Sequence, residues 1–195
     1  MTERLLDHPQ LGYWHLQAGF EPGLFQVDRQ WTVGDEDGAP VGTVFMDGDL
    51  LERPDYWLRE ADGSPAIGLA HADGLLSTIT DPSHRIVWAD GSPVGELVGT
   101  EVRWQGQAVG KWQVRVSRAG WTISLEGAWL WDPGDQLVAS VGNVEVPGTG
   151  AYLQLQRHIE ADEALRWVAL VLPLVAYEHY RESVAMANRR RRRLR

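Results

Sequence analysis

The sequence predicts an all-β domain closed by a single C-terminal helix. Three observations carry that class. An Asp-Gly turn recurs along the chain, apolar and polar residues alternate with period two between the turns, and one apolar run near the C-terminus is too short to span a bilayer. With 195 residues, 44% of them hydrophobic and 23% charged, the chain fits one domain with a sizeable core.

At the start, MTERLLDHPQLGYW lacks a basic segment followed by an apolar one, so no secretory signal is expected and a cytoplasmic location is. The chain has no cysteine, which excludes disulfides and thiolate metal sites. Ten tryptophans are spread from Trp14 to Trp167, as suits an interior built by the whole chain.

The turn reads EDGAPVG from Glu36, ADGSPAIG from Ala61 and ADGSPVG from Ala89, with looser copies WQGQAVG from Trp104 and WDPGDQL from Trp131. Asp-Gly tolerates the positive φ that tight hairpins need, and proline two residues after the glycine suits the first position of a strand. The Asp-Gly copies could bind a cation, but their flanks and spacing favour hairpin turns. Between them, KWQVRVSR places Trp112, Val114 and Val116 on one face. WTISLEGAWLW similarly aligns Trp121, Ile123, Leu125, Trp129 and Trp131. Continuing this way yields about twelve strands between Gly12 and Arg157. That many antiparallel strands would curl, split or close, and a closed barrel of that size is too wide for strand side chains alone to fill.

The filler is the segment EALRWVALVLPLVAYEHYRESVA. Helix composition runs from Ala161 to Ala187, with Asp162 and Glu163 at its start. The uncharged run from Trp167 to Tyr177 measures about 16 Å as a helix, against roughly 30 Å of hydrocarbon. Extending it brings in Glu178, His179, Arg181 and Glu182, so no transmembrane span is expected. Trp167, Leu170, Val171, Leu174 and Val175 are the expected core of a plug inside the barrel. Pro173 should kink the helix and free a carbonyl near Ala169 that must be satisfied locally.

These hairpins, with the stretches VDRQWTVGDEDGAPVGTV, WADGSPVGEL and EADEALRWVALVLPLVAYEHY, resemble the tubby C-terminal-like superfamily, above all its phospholipid scramblase and LURP-one-related branch. The likeness covers about Tyr13 to Tyr180 and rests on pattern. It implies a twelve-stranded barrel around a hydrophobic C-terminal helix, a phospholipid or membrane-surface association, and acidic residues at both helix ends, here Asp162 or Glu163 and Glu178. Two departures matter. There is no cysteine-rich acylation segment, and VEVPGTGAYLQLQRHIEADE lacks the alternating oxygen ligands of a calcium loop. Calcium-triggered scrambling is therefore not expected, and no headgroup-binding residue carries over from tubby proteins.

Enzyme signatures such as GxSxG, GxxxxGK[ST] and HExxH are absent, and no catalytic residue, metal site or cofactor is expected. His71 with Asp73, and Asp81 with His84, read as polar residues of strands and turns rather than metal ligands. His179, near the helix end, is the histidine whose burial could tune its pKa. The domain is expected over 1–188, followed over 189–195 by a disordered tail holding Arg189, Arg190, Arg191, Arg192, Arg193 and Arg195. Without these six the chain has 12 basic residues (18 less six) against 27 acidic, a body of net −15. Such a body repels nucleic acid and anionic lipid, so attraction to either must come from the tail. Three functions follow from the sequence. The first is a non-enzymatic module peripheral to an anionic phospholipid surface, bound through those arginines. The second is a structural or protein-partner-binding domain, and the third a small-ligand carrier or enzyme using a cavity beside the central helix. No specific nucleic-acid partner is expected.

Overall fold

The computed structural model describes residues 4–14, 30–47, 55–71, 84–120, 122–146 and 150–193. After a short 3-10 turn, Leu5–Asp7, come twelve strands. They are β1 (Gln10–Trp14), β2 (Gln30–Gly34), β3 (Pro40–Asp47), β4 (Asp55–Glu60), β5 (Pro65–His71) and β6 (His84–Trp88), then β7 (Pro93–Val98), β8 (Glu101–Trp104), β9 (Gln107–Ala119), β10 (Thr122–Trp131), β11 (Leu137–Val146) and β12 (Gly150–Arg157). Among the described residues one α-helix, α1, spans Glu163–Arg193. Each strand pairs antiparallel with the next, and β1 closes the sheet on β12 from Gln10↔Gln156 to Trp14↔Tyr152. The result is a closed twelve-strand barrel around one helix, as the turn and strand spacing predict.

The recurring turns are the reason the hairpins form where they do. Gly38, Gly63 and Gly91 sit at φ near +80°, each donating its N–H back to the residue three before it. A wider bond closes each loop, for example Glu60 N–H to Ser64 carbonyl at 2.9 Å. This is a type I turn followed by a left-handed residue, one residue longer than the tightest hairpin. Asp62 and Asp90 reinforce it by accepting the N–H of Ser64 and Ser92. Pro40, Pro65 and Pro93 then open their strands. In WDPGDQL the left-handed position is Asp135 and not Gly134. Because strands alternate in direction, the loops after β2, β4, β6, β8 and β10 all lie at one end of the barrel, the end at which β12 passes into α1. This is termed the Asp-Gly end below, and the opposite one the arginine end.

The helix fills the interior. Every residue from Trp167 to Glu178 is buried, with Leu170, Val171, Leu174 and Val175 fully enclosed. The inward side chains of the strands meet them, among them Val33, Leu58, Leu69, Ile86, Leu97, Val102, Leu153 and Leu155. Gly110 on β9 permits the close approach at the Asp-Gly end. A Cβ there would collide with the Trp131 carbonyl and stand 3.0 Å from Leu165 Cδ2. Pro173 lies in the enclosed stretch and removes a helical donor. The Tyr13 hydroxyl, fully buried on β1, donates to the Leu170 carbonyl at 2.8 Å, one residue beyond the expected Ala169.

Two expectations are corrected. In β10 the register shifts between Leu125 and Gly127, where Gly127 adopts φ of +154°. This bulge reverses the alternation, so Ala128 and Leu130 point inward. Trp129 and Trp131 therefore do not share the face of Leu125, and the Arg115 guanidinium lies 5.6 Å from the Trp129 ring. At the C-terminus the backbone is not an irregular tail from 189, since the helix continues to Arg193. Arg195 and Trp121 lie outside the described residues.

Candidate functional site

Polar groups gather at the two ends of the buried helix. At the Asp-Gly end, Asp162 caps α1 by accepting the Leu165 N–H at 2.9 Å. One turn on, the Trp167 indole donates to Glu163 at 3.3 Å and packs edge-on against Trp88, with centroids 5.2 Å apart. Trp88 in turn packs against Trp104 at 5.6 Å. The N-terminal segment is strapped across this end. Arg157 donates to the carbonyls of Leu5, Leu6 and His8, Arg166 reaches Leu6 and Asp7, and Glu60 accepts the Leu5 N–H at 2.9 Å. These ties hold Arg4 with its guanidinium 5.8 Å from the Trp167 ring centre. Between Arg4, the β4–β5 turn and the two indoles lies a half-open cleft of about 420 Å³.

Where the helix leaves the core, Glu178 is fully buried. A lone carboxylate there would be very costly, and the fold supplies donors. Tyr56 donates to Oε2 at 2.7 Å and Arg181, one turn later, to Oε1 at 3.0 Å. Burial above all, and then the Glu178 charge, push the Tyr56 hydroxyl well above its usual pKa. Tyr56 joins Trp31 and Tyr177 in a ring cluster with centroids 6.1 to 6.3 Å apart. Across the helix, His179 meets His84 and Trp112 at 5.6 and 5.5 Å. The Tyr56–Glu178–Arg181 chain pins the helix to the β4 wall. Its hydroxyl and carboxylate are enclosed, so it serves position and not chemistry on a substrate.

Further along, a groove of about 180 Å³ separates α1 from β9 and β10, lined by Val116, Arg118, Ile123 and Met186 among others. Met186 is 56% exposed, which singles it out among the large hydrophobic side chains described. The helical backbone then carries Arg189, Arg190, Arg191, Arg192 and Arg193.

Of the histidine and aspartate pairs considered from sequence, Asp73 and Asp81 lie outside the described residues. His84 is buried, and no group of three metal-ligating side chains occurs among the described residues. Ser140 Oγ and His158 Nε2 are 2.7 Å apart, but on the exposed outer wall and in neither cleft. No helix among the described residues is long and apolar enough to cross a membrane. Sequence reasoning missed both the Arg4–Trp88–Trp167 cleft and the Tyr56 partner of Glu178. The one usable signal for the latter was an acid directly after an apolar run, which demands a donor.

No family model matches the chain, and no curated protein does. Among solved structures it is similar to a protein of Arabidopsis thaliana at 9% identity, with a TM-score of 0.47, covering 86% of this chain and 90% of that one.

Proposed function

We propose that this is a non-enzymatic, tubby-like domain that associates peripherally with anionic phospholipid surfaces, on the cytoplasmic side, through its arginine end. The observation that carries the reading is the course of α1. It does not stop where it leaves the core but runs on past the exposed Met186 into Arg189–Arg193. At about 1 kcal/mol per charge near an anionic surface, five arginines supply roughly 5 kcal/mol. The body of net −15 opposes approach, yet charges more than about 8 Å from the surface are largely screened at physiological salt. The end nearest the lipid therefore decides. A closed barrel around a buried helix is also the architecture the resemblance implies, which supports the tubby-like reading.

Co-sedimentation with phosphatidylserine-containing vesicles tests it, comparing the full chain with one ending at Asn188 at low and high salt. Binding that needs the arginines and fades with salt is expected. Equal, salt-resistant binding by both forms would point instead to insertion of α1. No binding by either would overturn the lipid role and favour a protein partner.

A further inference from the structure

We propose that the cleft at the Asp-Gly end binds a small organic cation of the guanidinium class, which takes the place of Arg4 on the Trp167 ring. This site is independent of the arginine end. Its volume, about 420 Å³, lies in the range of small-molecule sites. Its back wall is aromatic, with Trp167 from the helix and Trp88 from β6 at right angles to one another. An indole face attracts cations, and one is already there: the Arg4 guanidinium, 5.8 Å from the Trp167 ring centre. Arg4 is itself exposed, although Leu5 and Leu6 after it are buried, so its side chain can swing off the ring without opening the barrel.

The rim is acidic. Glu60 uses Oε2 for the Leu5 N–H, and Asp62 uses Oδ1 for the N–H and hydroxyl of Ser64. Glu60 Oε1 and Asp62 Oδ2 have no hydrogen-bond partner among the described residues. The Ser64 bonds, the hydroxyl's first, hold the Asp62 carboxyl below its ordinary range, so it is ionised at neutral pH. Two carboxylates against one arginine leave the lining net negative, in a body that is itself strongly acidic. An anionic ligand is disfavoured by both. A planar cation with several N–H donors matches a carboxylate rim and an aromatic wall together, whereas a quaternary ammonium would satisfy only the wall.

Ethylguanidinium chloride is the probe, titrated into the full chain while the indole N–H resonances of Trp88 and Trp167 are followed by NMR. Ethylurea serves as the neutral isostere and tetramethylammonium as the donor-free cation. Saturable shifts confined to these two indoles are expected with ethylguanidinium, weaker with tetramethylammonium and absent with ethylurea. Arg4→Ala should tighten binding about two- to five-fold by removing the competing cation. Asp62→Asn, on an exposed turn, should weaken it about three-fold or more. Deleting residues 189–195 should change nothing, which separates this site from the lipid reading. The proposal is overturned if neither the natural chain nor Arg4→Ala gives saturable shifts while both melt cooperatively. Equal shifts with ethylurea would overturn it as well.

Discussion

Raising the pH from 9 to 11 should destabilise this protein through its buried tyrosines, and its composition makes the effect unusually clean. The chain has no cysteine, and its one lysine, Lys111, is 56% exposed in a surface pair with Asp135 that is worth little. Tyrosine is therefore the main side chain that titrates in this window. Tyr13 and Tyr56 are fully enclosed, and burial drives both hydroxyls far above the usual tyrosine range. For a group whose folded pKa is raised, the stabilising contribution is complete below the unfolded pKa and is lost as pH rises from there toward the folded value. At pH 11 an unfolded tyrosine gains about 1.4 kcal/mol by ionising, while its folded counterpart stays neutral. Two such residues cost about 3 kcal/mol, and Tyr177, also raised by burial, adds in the same direction. For a chain of this length that lowers Tm by about 6–12 °C between pH 9 and pH 11. Calorimetry at fixed ionic strength measures the shift, and phenolate absorbance of the folded protein reports the tyrosines directly. Tyr13→Phe should remove close to half of the two-residue effect. A Tm unchanged over the window, or absorbance showing all five tyrosines ionising near pH 10 before unfolding, would refute the enclosed positions of Tyr13 and Tyr56.

Further consequences concern the plug and its cap. Leu170→Asp places a carboxylate in the enclosed centre of the barrel and should abolish cooperative folding. A soluble Leu170→Asp protein with a sharp melting transition would contradict the buried helix. Asp162→Ala removes the N-cap bond to Leu165 and should cost about 1 kcal/mol in denaturant unfolding without altering the slope of the transition. Unchanged stability would mean that the helix N-terminus finds another acceptor.

What could be read in the sequence was local. The Asp-Gly turns, the prolines that open strands and the length of the apolar run each declare themselves within a few residues, and together they lead to the barrel and its plug. What could not be read depended on contacts across the sheet. Gly127 in LEGAW was a visible hint, but its consequence arises from β9, where Val116 pairs with Leu125 and Arg115 with Gly127, leaving Glu126 over. The bulge forms there, and Trp129 and Trp131 turn outward. Glu178 and Tyr56 are 122 residues apart, and the cleft draws on the N-terminal segment, the β4–β5 turn, β6 and α1. Such constellations have no sequence period to betray them.

The same geometry keeps the two proposed sites apart. Trp167 and Asn188 lie on one helix, twenty-one residues and therefore about 32 Å from each other along its axis. That is roughly four screening lengths at physiological salt, so the arginines cannot set the potential in the cleft, nor can Glu60 and Asp62 hold the arginines back. Coupling would have to travel through the plug itself. Its middle is fixed by the Tyr13 bond to Leu170, where Pro173 interrupts the helix ladder, and its far end by Tyr56 and Arg181 on Glu178. If α1 moves as one rigid piece, a ligand on Trp167 would alter vesicle binding even though no charge reaches that far. If the proline decouples the two halves, ethylguanidinium should leave vesicle binding unchanged at concentrations that saturate the cleft. The pinning of both halves to different strands, β1 and β4, favours the second outcome. Vesicle binding that shifted on saturation of the cleft, and failed to shift in Asp62→Asn, would show the first.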